Sequence, residues 1–260
     1  MCVFGLPNSS SKVRYEDMYI DFSSIFHRSS KDLGDKGNVY IPQDDTKWPP
    51  EWTTIYYKSY PRVKKIPLER KMISGDLASI LASRRSHRDF TKRKVDISQL
   101  SKLLLHACGL QKDVKTFNRT HPSGGGRYPI EIYPIIFQGN RKIPAGVYHY
   151  NIKEHTLDVL WQREFTSDDI SELFVYDWIQ NASFALICTG EFWRNQMKYG
   201  ERGYRYVLLD AGHVSENIYL VAESLGLKCC GMGGTRDENI EKLLDIDGVN
   251  ESLVHSLILG

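Results

Sequence analysis

From residue 76 onward, apolar positions divide the chain into helix-like and strand-like stretches. Leu100, Leu103, Leu104 and Ala107 recur at three- and four-residue spacing, which predicts one face of a helix. Asp96 stands at its N-cap position, Gln99 follows as a capping-box partner, and Gly109 suits the stop. Thr166 with Asp169 makes a second capping box, opening a helix to about Gln180. Between Tyr204 and Leu225, apolar residues at 207, 208, 211, 214, 218, 221, 222 and 225 predict a long helix ended by Gly226. They spread over more than one face, so the helix is expected to be buried on several sides. Asp76–Arg84 reads as a short helix, and Thr235 with Glu238 predicts the cap of another. "IEIYPIIF" and "SFALICTG" read as buried strands. "SLVHSLIL" reads as a last strand, and "GVYHYNIKEHTLDVLW" as a hairpin turning at Lys153, Glu154 and His155. A short apolar strand after Leu227 runs into Gly231, Gly233 and Gly234. There is no internal repeat. Helices and strands mix without strict β-α-β alternation, which predicts an α+β domain: a central mixed or antiparallel sheet flanked by helices.

The first 70 residues lack this order. They are polar and aromatic, with prolines at 49, 50, 61 and 67. Trp48, Trp52, Tyr56, Tyr57 and Tyr60 would waste apolar area in water. The division expected is an extended N-terminal arm, 1–70, wrapping over a domain formed by 71–260.

Composition narrows the chemistry. With 41% hydrophobic and 25% charged residues, the balance is that of a soluble globular protein. A net charge of +2 lacks the basic footprint of a nucleic-acid binder. No apolar run approaches the roughly 20 residues needed to span a bilayer, and the N-terminus does not read as a signal peptide. Cys2, Cys108, Cys188, Cys229 and Cys230 then read as reduced thiols in the cytoplasm, the adjacent pair Cys229–Cys230 as packed thiols. C-x-x-C and H-E-x-x-H are both absent, so no metal site is expected. Neither a G-x-G-x-x-G nor a G-x-x-x-x-G-K-[ST] loop is present.

Four segments hold concentrated chemistry. "SRRSHRDF" brings Arg84, Arg85, Ser86 and Arg88 to a helix end. Arginine forks bind phosphate oxygens bidentately, although cations also suit a helix C-terminus. "THPSGGGRYPIEIY" offers a loop without side-chain bulk, able to lie flat on a ligand or to act as a plain turn. "LKCCGMGGTRDE" carries a strand into a glycine loop before a helix, a ready anion or ring site. "RNQMKYGERGYRY" crowds Arg194, Lys198, Arg202 and Arg205 among Tyr199, Tyr204 and Tyr206. Gly200 and Gly203 would allow an irregular backbone on which Lys198 and Tyr199 reach one pocket.

At these residues the chain resembles the SagB-type dehydrogenases of the nitroreductase superfamily, the flavin partners of azole-forming peptide synthetases. "RRSHRDF", "PSGGGRYPIEIY", "GVYHYNIKEHTLDVL", "KYGERGYRYVLLDAGHVSENIYLVAESLGL" and "GMGG" carry the resemblance, in matching order over roughly residues 48 to 260. Residues 1–47 match nothing in it.

The resemblance implies an α+β flavoprotein fold, tightly bound FMN and a homodimer with the cofactor at the interface. Arg84, Arg85, Ser86 and Arg88 would hold the FMN phosphate and ribityl chain. Pro122, Ser123, Gly124 and Gly125 would line the ring, and Cys230, Gly231, Met232, Gly233 and Gly234 would approach it from the other side. Such flavoproteins often close the phosphate site with a basic residue beyond the last strand; here Arg127 or Arg236 would replace it. The implied reaction is oxidation of a thiazoline or oxazoline in a modified precursor peptide to the aromatic azole, in company with a cyclodehydratase. Lys198 and Tyr199 would be catalytic: a nearby ammonium favours a phenolate, which can take the ring's acidic Cα proton. Arg202 and Arg205 would brace them. Two other readings share the fold, an NAD(P)H-dependent nitroreductase-type reductase and a non-catalytic flavin-binding scaffold.

Overall fold

In a computed structural model, residues 22–30, 44–47, 76–111 and 118–260 are described. Most of the expected arm, including its tryptophans and tyrosines, lies outside them. Within the segment expected to form the arm, α1 spans Phe22–Ser30 and one 3-10 turn spans Asp45–Lys47. α1 falls in a separate compact unit, residues 1–31.

The larger unit is built on six strands: β1 Ile130–Ile136, β2 Gly146–Asn151, β3 Thr156–Gln162, β4 Phe184–Glu191, β5 Cys229–Met232 and β6 Glu251–Leu259. They form one sheet in the order β3-β2-β1-β4-β6-β5, and every pairing is antiparallel. The central pair explains the largely apolar runs. Along β1 and β4, alternate residues face opposite ways, and both faces are covered. Ile130, Ile132, Leu186 and Cys188 join one core; Tyr133, Ile135, Ala185 and Ile187 join the other.

The first core is closed by α3 (Ile97–Cys108) and α6 (Arg202–Ser224), the second by α4 (Ser167–Leu173) and α7 (Asp237–Leu244). α2 (Asp76–Ser83) and α5 (Phe192–Tyr199) complete the seven helices among the described residues. Leu100, Leu103, Leu104 and Ala107 are buried on α3, as their spacing predicts.

The caps differ in detail. Asp96 accepts from the Ser98 N–H at 2.8 Å, but the Gln99 amide reaches across to the Leu225 carbonyl at 3.2 Å and leaves the capping box open. The Thr166–Asp169 box closes in both directions. Its helix ends early, at Leu173, and a 3-10 stretch, Asp177–Asn181, follows. Thr235 does not cap α7; its hydroxyl bonds the Asp237 carboxylate at 2.6 Å, and Arg236 holds the cap position.

α5 is a helix that the apolar spacing does not show. "RNQMKYGERGYRY" is therefore the end of α5, a turn at Gly200 and Glu201, and the start of α6. α6 buries Tyr204, Val207, Ala211, Val214, Ile218 and Ala222, yet Leu208 and Leu209 remain 40% and 59% exposed. Within one chain the helix is thus buried on one side only.

Candidate active site

The glycine loop is fixed from below by α6. Asp210 interrupts the apolar face of that helix and is buried. It accepts from the Ser123 hydroxyl at 2.5 Å and from the Gly124 N–H at 3.3 Å. Burial, only partly offset by these bonds, raises the pKa of its carboxyl. Ser123 in turn accepts from the Tyr128 N–H at 2.8 Å, so one hydroxyl ties both ends of the turn. His121, just upstream, is buried with neither ring nitrogen bonded among the described residues. Burial lowers its pKa to about 4, and it packs edge-on against Tyr128 as a neutral ring.

Lys198 and Tyr199 are the last two residues of α5 and reach the loop from above. Gly200 ends the helix at φ 55°, and its N–H bonds back to Gln196 at 2.8 Å. Gly203 lets α6 approach closely: a Cβ there would come within 2.7 Å of the Asn195 carbonyl carbon. Both side chains converge on Gly125. A Cβ on that residue would lie 3.1 Å from Lys198 Nζ and would strike the Tyr199 hydroxyl. Lys198 Nζ stands 5.2 Å from the Tyr199 ring centre, within cation–π range. Tyr206 backs the pair, its ring 4.9 Å from that of Tyr199 and nearly perpendicular. Arg202 donates to the Tyr206 hydroxyl at 3.2 Å. The two side chains thus extend from a regular helix end, where an irregular backbone was expected.

The second group lies along β5. Segment 84–90 runs beside that edge strand: the His87 N–H donates to the Cys229 carbonyl at 2.9 Å, and Lys228 Nζ bonds the Asp89 carboxylate at 2.6 Å. Tyr219 of α6 gathers the group. Its hydroxyl lies 3.2 Å from Ser86 Oγ and accepts the Gly231 N–H, while the Arg84 guanidinium sits 5.2 Å from its ring centre. Gly233 is exposed with open space about its Cα. These residues suit a phosphate-bearing planar cofactor: cations and a hydroxyl at one end, bare backbone at the other.

Several predicted contributors take other parts. Arg85 folds back on its own helix end, donating to the carbonyls of Ala82 and Arg84 at 3.0 and 2.8 Å. Cys230 and Met232 are buried in the second core, so only their backbone can face a ligand. Pro122 is exposed beside the Asp210-anchored turn. Arg127 and Arg236 are engaged elsewhere, with the Arg194 carbonyl at 2.8 Å and the Ser171 carbonyl at 3.2 Å. The two groups meet α6 at Asp210 and Tyr219, nine residues or about 13 Å apart along the helix. Asp210 and Tyr219 escaped the sequence reading. The signal for Asp210 was a carboxylate standing in an apolar stripe.

A cavity of about 420 Å³ lies elsewhere, between α3 and the β2–β3 hairpin, with Leu100, Leu104, Tyr148 and Leu157 among its walls. Its polar groups satisfy one another: Ser101 to His155 at 3.0 Å, and His155 to Tyr150 at 2.7 Å. It holds none of the predicted site residues. Among the described residues no His, Cys, Asp and Glu cluster suits a metal ion, and no helix is long and apolar enough to cross a membrane.

The nitroreductase family model matches residues 81–260. The chain belongs to the nitroreductase family. A protein of Methanocaldococcus jannaschii named as a nitroreductase is 33% identical over 65% of this chain and 84% of its own length. The trifolitoxin-processing protein TfxB of Rhizobium leguminosarum is 34% identical over 53% of this chain, and the microcin B17-processing protein McbC of Escherichia coli 30% identical over 60%. The alignments span 38% and 58% of those two proteins. A chain of the E. coli microcin synthetase McbBCD complex, with truncated pro-MccB17 bound, shares the fold at TM-score 0.63 and 22% identity, over 87% of this chain and 84% of that one.

The contact at Gly125 is directly testable. Gly125→Ala must place a Cβ at φ 67° and against the Tyr199 hydroxyl. It is expected to lower unfolding stability in urea by about 1–3 kcal/mol. Tyr199→Phe removes the struck atom, so the double variant should recover at least about 0.5 kcal/mol. Strict additivity would show that the contact is absent.

Proposed function

We propose that this nitroreductase-family chain is an FMN-dependent dehydrogenase that oxidises thiazoline or oxazoline rings in a modified peptide. The observation that carries the reading is the convergence of Lys198 and Tyr199 on Gly125. A plain flavin reductase, which takes its electrons from NAD(P)H, needs no such pair. Support also comes from the two relatives named for processing trifolitoxin and microcin B17.

When bound, FMN supplies the two-electron acceptor. Arg84, Arg88 and Ser86 would hold its phosphate and ribityl chain, and the backbone of Gly231 and Gly233 would face its ring, whereas Gly234 packs against Tyr176 and gives its carbonyl to the Val175 N–H. The bare loop at Ser123, Gly124 and Gly125 leaves a flat wall on which a five-membered ring can rest. The azoline must lose its Cα proton together with a hydride equivalent. Tyr199, as the phenolate, takes the proton on its oxygen and becomes the neutral phenol, and the Lys198 ammonium favours that phenolate before the transfer. His121, neutral and buried, takes no part in the transfer.

We infer a homodimer as the working form. The exposed Leu208 and Leu209 on α6 would be covered by a second copy, and the second copy would bring its own glycine loop to the arginine group of the first. The precursor peptide and a cyclodehydratase are the expected partners, in the cytoplasm. One relative is named as a nitroreductase, which favours a second reading, an NAD(P)H-driven reductase on the same cofactor residues.

Purified protein is expected to be yellow with one FMN per chain. Arg84→Ala and Arg88→Ala should each weaken FMN binding by about 1.5–3 kcal/mol, the scale of a charge-assisted hydrogen bond. Full occupancy in the double variant contradicts the cofactor assignment. Tyr199→Phe and Lys198→Ala should retain FMN and lose at least about 10²-fold in oxidation of a thiazoline-bearing peptide. Near-normal turnover by both removes the pair from the mechanism, and rapid bleaching of the flavin by NADPH favours the reductase. Light scattering at low micromolar concentration should report a mass near two chains; an FMN-loaded monomer refutes the dimer.

A further inference from the structure

We propose that Arg127 and Arg194 are positioning residues that hold the Lys198–Tyr199 pair against the glycine loop. The inference rests on the proton-handling role given to that pair above.

α5 is short, and its anchor in the first core lies at its start, where Phe192 stacks on Tyr204 at 5.4 Å and donates its N–H to the Asn250 carbonyl at 3.1 Å. It has eight residues, its N-cap Glu191 makes no side-chain capping bond, and only Phe192 and Asn195 are buried. A helix of that length is marginal without tertiary anchors. Gly203 fixes its contact with α6 on one side. Toward the loop, two arginines cross in opposite directions. Arg127, directly after the three glycines, donates from Nε to the Arg194 carbonyl at 2.8 Å and from Nη2 to Met197 Sδ at 3.3 Å. Arg194, on the helix, donates from Nη1 to the Tyr128 carbonyl at 3.1 Å and to Glu131 Oε1 at 2.5 Å. Each element therefore holds the backbone of the other. Arg194 and Lys198 are four residues apart and share one helix face. The first is tied to the exit of the loop while the second reaches its tip at Gly125.

The clamp is rooted in the sheet. Glu131 lies on central strand β1 with its side chain 13% exposed. Burial alone would raise its pKa, but the His149 hydrogen bond and the Arg194 charge prevail and hold it below the ordinary carboxylate value. His149 on β2 lies 3.0 Å from Glu131 Oε2 and 3.3 Å from Asp158 on β3. The line from catalytic pair to sheet edge is thus continuous: α5, Arg194, Glu131, His149, Asp158. Guanidinium is suited to this work, since its planar fork serves two acceptors at fixed angles where an ammonium serves one point.

The test uses the FMN-loaded full chain and a synthetic peptide with one thiazoline. Arg127→Ala is expected to keep FMN and melting temperature, to lower kcat at least about tenfold and to leave KM within about twofold. Arg127→Lys should remain impaired, and free guanidinium should restore part of the lost kcat to Arg127→Ala. Independently of turnover, 3-fluorotyrosine labelling gives a fluorine resonance for Tyr199, identified by its loss in Tyr199→Phe. That resonance should move in Arg127→Ala and in Arg194→Ala. Unchanged kcat with an unmoved resonance overturns the clamp. So does a loss shared between kcat, KM and melting temperature without guanidinium rescue, which marks a structural contact only. If Arg194→Ala does not fold, Arg127→Ala alone decides. Should Lys198→Ala and Tyr199→Phe prove fully active, the parent reading fails, and the clamp then stands or falls on the fluorine resonance.

Discussion

The site depends on one buried carboxylate. Asp210 sits in the apolar stripe of α6, where an unpaired charge would be costly. It is tolerated because the Ser123 hydroxyl and the Gly124 N–H both point at it. That pairing has a structural return. Three consecutive glycines lose more backbone entropy on ordering than any other tripeptide, so the loop would not hold one shape unaided. With Ser123 locked to Asp210 and to Tyr128, Gly125 has a fixed address. Only then can Lys198 and Tyr199, arriving from another element, meet it.

The same helix holds the other half. Tyr219 faces Ser86, Arg84 and Gly231 about 13 Å further along α6. A helix buried along one side fixes the place of each chemical group within the chain better than any loop. Its rigidity comes from the first core, where Val207, Val214 and Ile218 are fully buried against the sheet. Packing and chemistry use different residues of one element: every third or fourth position holds the sheet, and Asp210 and Tyr219 interrupt that pattern to hold the site.

This explains which parts the sequence made legible. Strands β1 and β4 are covered on both faces, so their largely apolar runs, interrupted in β1 by Glu131, are easily seen. α3 shows its buried face because its other side is wet. The glycine and arginine segments were visible because bare backbone and clustered guanidinium groups are rare combinations. Long-range pairings were not visible. Nothing local says that Gln99 prefers the Leu225 carbonyl to its own cap, or that Arg127 turns toward α5 instead of a phosphate. The resemblance implies Cys230 and Met232 at the ring, yet a four-residue edge strand alternates like any other and turns both side chains into the core.

α5 is the instructive failure. "FWRNQMKY" shows no apolar stripe because the helix buries only two side chains. A buried helix face announces itself; a helix held by arginines and a close glycine contact does not. Its polarity follows from its task. Adjacent residues on a helix point about 100° apart, so Lys198 and Tyr199 can converge only if the helix end is pressed close to the loop and the lysine stem bends back across the tyrosine ring. Hydrophobic contact is non-directional and would let the end slide. Crossed guanidinium bonds to backbone carbonyls fix both distance and rotation. The absence of a hydrophobic pattern in this stretch is thus the physical consequence of needing two neighbouring side chains at one point.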